Sequence, residues 1–140
     1  MRLVLDTNVL VAAMRSPQGA SARLMAAVRD GRITALASAT LFIEYEAVLT
    51  RPDHMRVGNV SLADVNLALG RLAELIEPIV IDFSLRPEAR DADDDMVLEV
   101  AVNGHADGLV SFEIETFRES AARHGVRLMT PAQAWAMVRP

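Results

Sequence analysis

Five short apolar runs, at Arg2–Leu5, Ile33–Ala37, Pro78–Phe83, Gly108–Phe112 and Arg127–Met129, punctuate a chain otherwise patterned as helix. Runs this brief and this apolar fit strands covered on both faces, as in parallel sheets. Between them, residues 19–29 read as a helix closed at Asp30-Gly31. Ser38 suits the cap of a helix reaching about Leu49. Arg51-Pro52 ends it, because proline lacks a donor and disfavours helical geometry in the residue before it. Residues 52–60 read as a looser polar connection. After Ser61, Leu62, Val65, Leu69, Leu72 and Ile76 recur at helical spacing. Residues 94–103 and 114–124 complete the larger helices, the second closed by Gly125, and Thr130-Pro131 opens a short last one. Strands alternating with helices predict one α/β domain over 1–140, a three-layer α/β/α arrangement with a mostly parallel five-stranded sheet.

With 140 residues, 51% of them hydrophobic, the chain can build one packed core. It has no cysteine, which removes disulfides, zinc–thiolate sites and cysteine nucleophiles. All fourteen basic residues are arginine, so any chemistry that needs a lysine is ruled out. The apolar opening of the chain is broken by Asp6, Thr7 and Asn8 and lacks a small-residue cleavage pattern, and nowhere does an uncharged stretch reach membrane-spanning length. A cytoplasmic protein is expected. The net charge of −5 is unusual for a nucleic-acid binder. However, four of the nineteen acids crowd into Asp91, Asp93, Asp94 and Asp95, and the remaining fifteen nearly balance the fourteen arginines. A metal-loaded cluster would not repel phosphate as the formal charge suggests.

Ligands of such sheets bind beyond the carboxyl ends of the strands, and three acids are placed to reach that mouth. Asp6 ends the first strand. Its plain structural role would be a helix cap, but Thr7 or Asn8 could cap equally well and leave Asp6 free. Glu44 lies three residues after Leu41 and four before Val48, on or beside the apolar stripe of its helix, where a carboxylate needs an arginine or a metal. Asp94 precedes Val97, Leu98 and Ala101 at spacings that turn it inward. One or two acids would serve the helix dipole there, but four repel one another and call for a cation. Hard oxygen ligands on separate elements suit Mg²⁺ or Mn²⁺. Such a site acidifies water and neutralises phosphate, which is what phosphodiester hydrolysis needs. His54, His105 and His124 have no metal-ligand spacing and are given no role.

These residues resemble the PIN-domain family, in order and over nearly the whole chain. Leu5-Asp6-Thr7-Asn8-Val9-Leu10 is similar to its opening signature. Glu44-Tyr45, with Val48-Leu49 and Arg51-Pro52, is similar to its second acidic motif. Asp91-Ala92-Asp93-Asp94, followed by Ala106-Asp107-Gly108-Leu109-Val110-Ser111, is similar to its third. The resemblance is nearest to the VapC-like toxin branch of toxin–antitoxin pairs. It implies a PIN-like, Rossmann-like fold and a metal-dependent ribonuclease with Asp6, Glu44 and Asp94 as catalytic acids. Asp91 and Glu113 would be further metal ligands, with Asn8 and Ser111 in support. The chain departs from the family at the fourth acidic position. There, threonine, one residue, then aspartate or asparagine is usual, whereas this chain has Ser111-Phe112-Glu113, with Glu115 close behind. Glu113, one methylene longer, would bind metal differently, through water, or not at all. An antitoxin segment over the acidic cleft is the implied partner, and the high apolar fraction adds the expectation of a homodimer.

Other folds with acidic mouths fit less well. A receiver domain needs a lysine, a haloacid-dehalogenase-like phosphatase wants aspartate where Asn8 stands, and no phosphate-binding Gly-Lys-Ser/Thr loop is present. The alternative of a different class is a PIN-like domain that binds RNA or protein without cutting.

Overall fold

The computed structural model describes residues 1–85 and 92–140, with side chains described from Asp95 onward in the second stretch. The order of elements is β1 (Arg2–Leu5), α1 (Thr7–Arg15), α2 (Ala20–Arg29), β2 (Thr34–Ala37), α3 (Ala39–Leu49), α4 (Pro52–Gly58), α5 (Leu62–Leu75) and β3 (Glu77–Pro78). It continues with α6 (Ala92–Asn103), β4 (Gly108–Val110), α7 (Ile114–Arg123), β5 (Leu128–Met129) and α8 (Pro131–Val138). The strands form one sheet in the order β3-β2-β1-β4-β5, and every pairing is parallel. Neighbouring residues of a strand point to opposite faces. Leu3, Val4 and Leu5 in β1, Ala35, Leu36 and Ala37 in β2, and Leu109 and Val110 in β4 are all buried, so helices cover both faces. The expected three-layer α/β fold is the observed one.

The order of strands fixes the site. From β1 the chain builds outward to β2 and β3 on one side, then returns to place β4 and β5 on the other. The connections leaving β1 and β4 therefore diverge, and a crevice opens beyond their carboxyl ends. The register pairs Leu5 with Val110, so the next residues, Asp6 and Ser111, emerge side by side at that crevice.

Capping follows the sequence closely. Ser38 accepts from Leu41 N, and Ser61–Asp64 and Thr130–Gln133 form reciprocal capping boxes. Gly31 and Gly125 take positive φ, 80° and 67°, at the turns expected of them. Arg23 and Arg32 lie over the Trp135 ring and pin α8. Among the described residues no helix is long and apolar enough to cross a membrane.

Three expectations need correction. The strand expected over Pro78–Phe83 is only Glu77–Pro78. Beyond it, the backbone N–H groups of Asp82 and Phe83 donate to Asn103 Oδ1, at 3.0 and 2.8 Å, so a side chain replaces the sheet there. The supposed connection 52–60 contains α4. Pro52 ends one helix and occupies the first turn of the next, where its missing donor costs nothing, and Asn59 stops it in the left-handed conformation. Helix α6 starts at Ala92 and not at 94.

Candidate functional site

Asp6 occupies the helix-cap position itself and is almost fully buried. It was expected to leave capping to Thr7 or Asn8, but it uses one oxygen for the cap: Thr7 N donates to Oδ1 at 2.8 Å. Ser111, wholly buried at the end of β4, donates its hydroxyl to Oδ2 at 2.6 Å. That hydroxyl in turn accepts from Glu113 N at 2.9 Å and from Asn8 Nδ2 at 3.4 Å. Its other two neighbours being donors, the single Ser111 proton is committed to Asp6. Asn8 Oδ1 also accepts from Phe112 N at 3.4 Å, tying the start of α1 to the turn after β4.

Helix α3 brings the second acid. Tyr45 is buried against the sheet and donates its phenol to the Leu5 carbonyl at 2.5 Å. Burial, with the Asp6 charge adding to it, pushes the phenol far above its ordinary pKa, so it stays a donor. Glu44, half-buried, precedes Tyr45 and lines a cleft of about 250 Å³ together with Asp6, Asn8, His54 and Glu113. No arginine among the described residues pairs with Glu44. Glu113 is exposed at the start of α7 and makes no side-chain cap.

Electrostatics tie these acids together. Burial raises the Asp6 pKa, and the charges of Glu113 and Glu44 raise it further. The hydrogen bonds from Ser111 and Thr7 pull the other way without cancelling the rise. Asp6 is thus a fixed carboxylate, crowded by like charge, in the wall of this cleft. A divalent cation would relieve that crowding, and the donors are hard oxygens, so the residues present fit a magnesium-type ion. Among the described residues no three acids or imidazoles are grouped closely enough to hold an ion unaided.

The structure thus brings together Asp6, Glu44 and Glu113, with Asn8 and Ser111 beside them. Asp91, and the side chain of Asp94, lie outside the described residues. Asp95 and Glu99, one helical turn apart on α6, are almost fully buried, and Leu85 N donates to Glu99 Oε1 at 3.4 Å. His54, given no role from sequence, lines the cleft. A larger cavity of about 370 Å³ lies among Leu10, Met14, Leu49, Val65 and Leu69. Its one acid, Asp64, is engaged by the Ser61 cap, so the chemistry belongs to the smaller cleft.

A family model described as PIN domain matches residues 2–115. The chain belongs to the PIN-domain family. Members of this family are generally nucleases that use a divalent metal ion. No curated protein matches this PIN domain. Among solved structures, it is similar to that of VapBC2 from Rickettsia felis bound to a DNA fragment from their promoter. The two are 14% identical, the match covers 93% of this chain and 98% of that one, and the TM-score is 0.62, a likeness of fold.

Proposed function

We propose that this PIN domain is a Mg²⁺- or Mn²⁺-dependent endoribonuclease that hydrolyses RNA phosphodiesters with water as nucleophile. The observation that carries the reading is Asp6: a carboxylate buried at a strand end, fixed by Ser111 and Thr7, with Glu44 and Glu113 close enough to raise its pKa. Asp6, Glu44 and Asp94 would hold the metal, with Asp91 and Glu113 as further ligands. When bound, the ion supplies Lewis-acid polarisation of water and phosphate. The chain's own part is positional. Ser111 and the start of α1 lock the Asp6 carboxylate, Asn8 holds the turn that carries Glu113, and Tyr45 fixes the backbone from which Asp6 projects. With an ion held by these acids, water would be the attacking group.

The resemblance to VapC-like toxins and the fold shared with VapBC2 support a toxin of a toxin–antitoxin pair. An antitoxin segment would cover the acidic cleft, and two copies of the chain would associate. One observation favours a second reading, a PIN-like domain that binds RNA or protein without cutting: the acid after β4 is an exposed glutamate in place of the usual shorter residue. Incubation with a panel of structured and unstructured RNAs, with and without Mg²⁺ or Mn²⁺, separates the two. Metal-dependent cleavage that Asp6→Asn abolishes supports the nuclease. Binding with no cleavage under any metal supports the scaffold.

A further inference from the structure

The acids are only part of the cleft wall. His54, in α4, lines the same cavity as Asp6, Glu44 and Glu113. Helix α4 packs on α1, and there Arg15, in the last turn of α1, places a guanidinium nitrogen 2.7 Å from His54 Nδ1. A guanidinium only donates, so Nδ1 accepts, and the imidazole carries its hydrogen on Nε2. Among the described residues, that Nε2–H has no acceptor within hydrogen-bonding distance. Arg15 pairs with no carboxylate among them, although three line the neighbouring cleft. Its guanidinium is turned to the imidazole that lines that cleft.

Three carboxylates lining a cleft repel a polyanion. An RNA strand approaching them needs an adjoining group that attracts phosphate, and phosphate contacts set the register of the strand. An oriented N–H donor backed by a permanent guanidinium charge has that chemistry. We propose that His54 and Arg15 form the phosphate-holding side of the cleft and seat the RNA backbone beside the acids. This assignment rests on the nuclease reading and identifies which residues grip the substrate. Arg15 has two roles: it fixes the tautomer that aims a hydrogen from His54, and it contributes long-range attraction.

The experiment measures binding apart from cleavage. A short fluorescein-labelled single-stranded RNA of mixed sequence is titrated with protein in EDTA, by anisotropy, at several salt concentrations. Cleavage of the same RNA is followed separately with Mn²⁺. His54→Phe keeps the ring volume and loses the donor, so it should weaken binding about tenfold and raise KM with little change in kcat. His54→Gln should recover most of the affinity, since its amide can accept from Arg15 and still donate. Arg15→Gln should lower the magnitude of the log–log salt slope by about 0.7, the value for one lost phosphate contact on a single strand. This variant also gives the answer if His54→Phe melts early. Should both variants bind with wild-type affinity and slope while the wild type cuts, the proposal is overturned and the nuclease reading stands. Binding that depends on His54 and Arg15, with no cleavage under any metal, would overturn the nuclease reading alone.

Discussion

The phenol of Tyr45 donates to the carbonyl of Leu5 at 2.5 Å, and the peptide it holds is the one from which Asp6 projects. Glu44 is the residue before Tyr45, so one hydrogen bond sets the spacing between two acids on different elements. Tyr45→Phe should cost about 1 kcal/mol of stability, seen as a fall of ~3 °C in melting temperature for a domain of this size. Cleavage at 25 °C, where the variant is still folded, should fall by roughly tenfold or more as Asp6 and Glu44 lose their fixed separation. Loss of stability without loss of cleavage would mean that the bond serves the fold alone.

Asp6→Asn should reduce RNA cleavage by orders of magnitude and keep the fold, because a neutral amide of the same volume is a poor ligand for Mg²⁺. Adding Mg²⁺ should raise the melting temperature of the parent more than that of the variant. Equal cleavage by the two proteins would remove Asp6 from the mechanism.

Stability without metal should report the same carboxyl. Burial first, then the charges of Glu113 and Glu44, raise the pKa of Asp6 in the folded chain. A group raised on folding binds its proton more tightly folded than unfolded. Its ionised form therefore costs stability above the folded pKa, and that cost fades as the pH falls through it. In EDTA, Asp6→Asn should melt at or above wild type at neutral pH, with the gap closing toward the ordinary carboxylate pKa of about 4. A gap that widens on acidification would contradict the assigned direction.

Glu113→Gln should cost much less cleavage than Asp6→Asn or Glu44→Gln. The Glu113 side chain is exposed and makes no cap, and its extra methylene suits a role through water. Equal losses in single-turnover cleavage would place it among the direct ligands.

Self-association is expected of the whole chain. Ile43, Val80, Phe83 and Phe112 are all exposed, and a second copy of the chain could cover them. Sedimentation at tens of micromolar should give a dimer, and a monomer there would refute it.

Much of this was legible because the residues concerned break a pattern. Asp6 interrupts an apolar run at a strand end, and Glu44 sits beside an apolar stripe. Each stands out against a simple periodicity, and both line the cleft. The partnership of Ser111 with Asp6 was hidden, because it depends on β1 and β4 being neighbours in register, and a sequence does not state which strands adjoin. His54 is hidden for a local reason: in sequence Pro52 marks the end of α3 and equally opens α4, the short helix that carries the imidazole to the cleft. The burial of Asp95 and Glu99 has no periodic signal, because α6 packs on β1, β2, β4 and two helices, and few of its sides remain for water.

An all-parallel sheet contains no hairpin, and this affects the order in which the protein becomes competent. The serine that orients Asp6 is made 105 residues after it. At a synthesis rate of about 5–20 residues per second, a ribosome carries an unfinished mouth for roughly 5–20 s. Throughout that interval β1 lacks its neighbour on one side, and the acid has no proton donor from β4. A PIN domain assembled this way cannot pair Asp6 with Ser111 until β4 has left the ribosome, and the topology of the sheet supplies the delay.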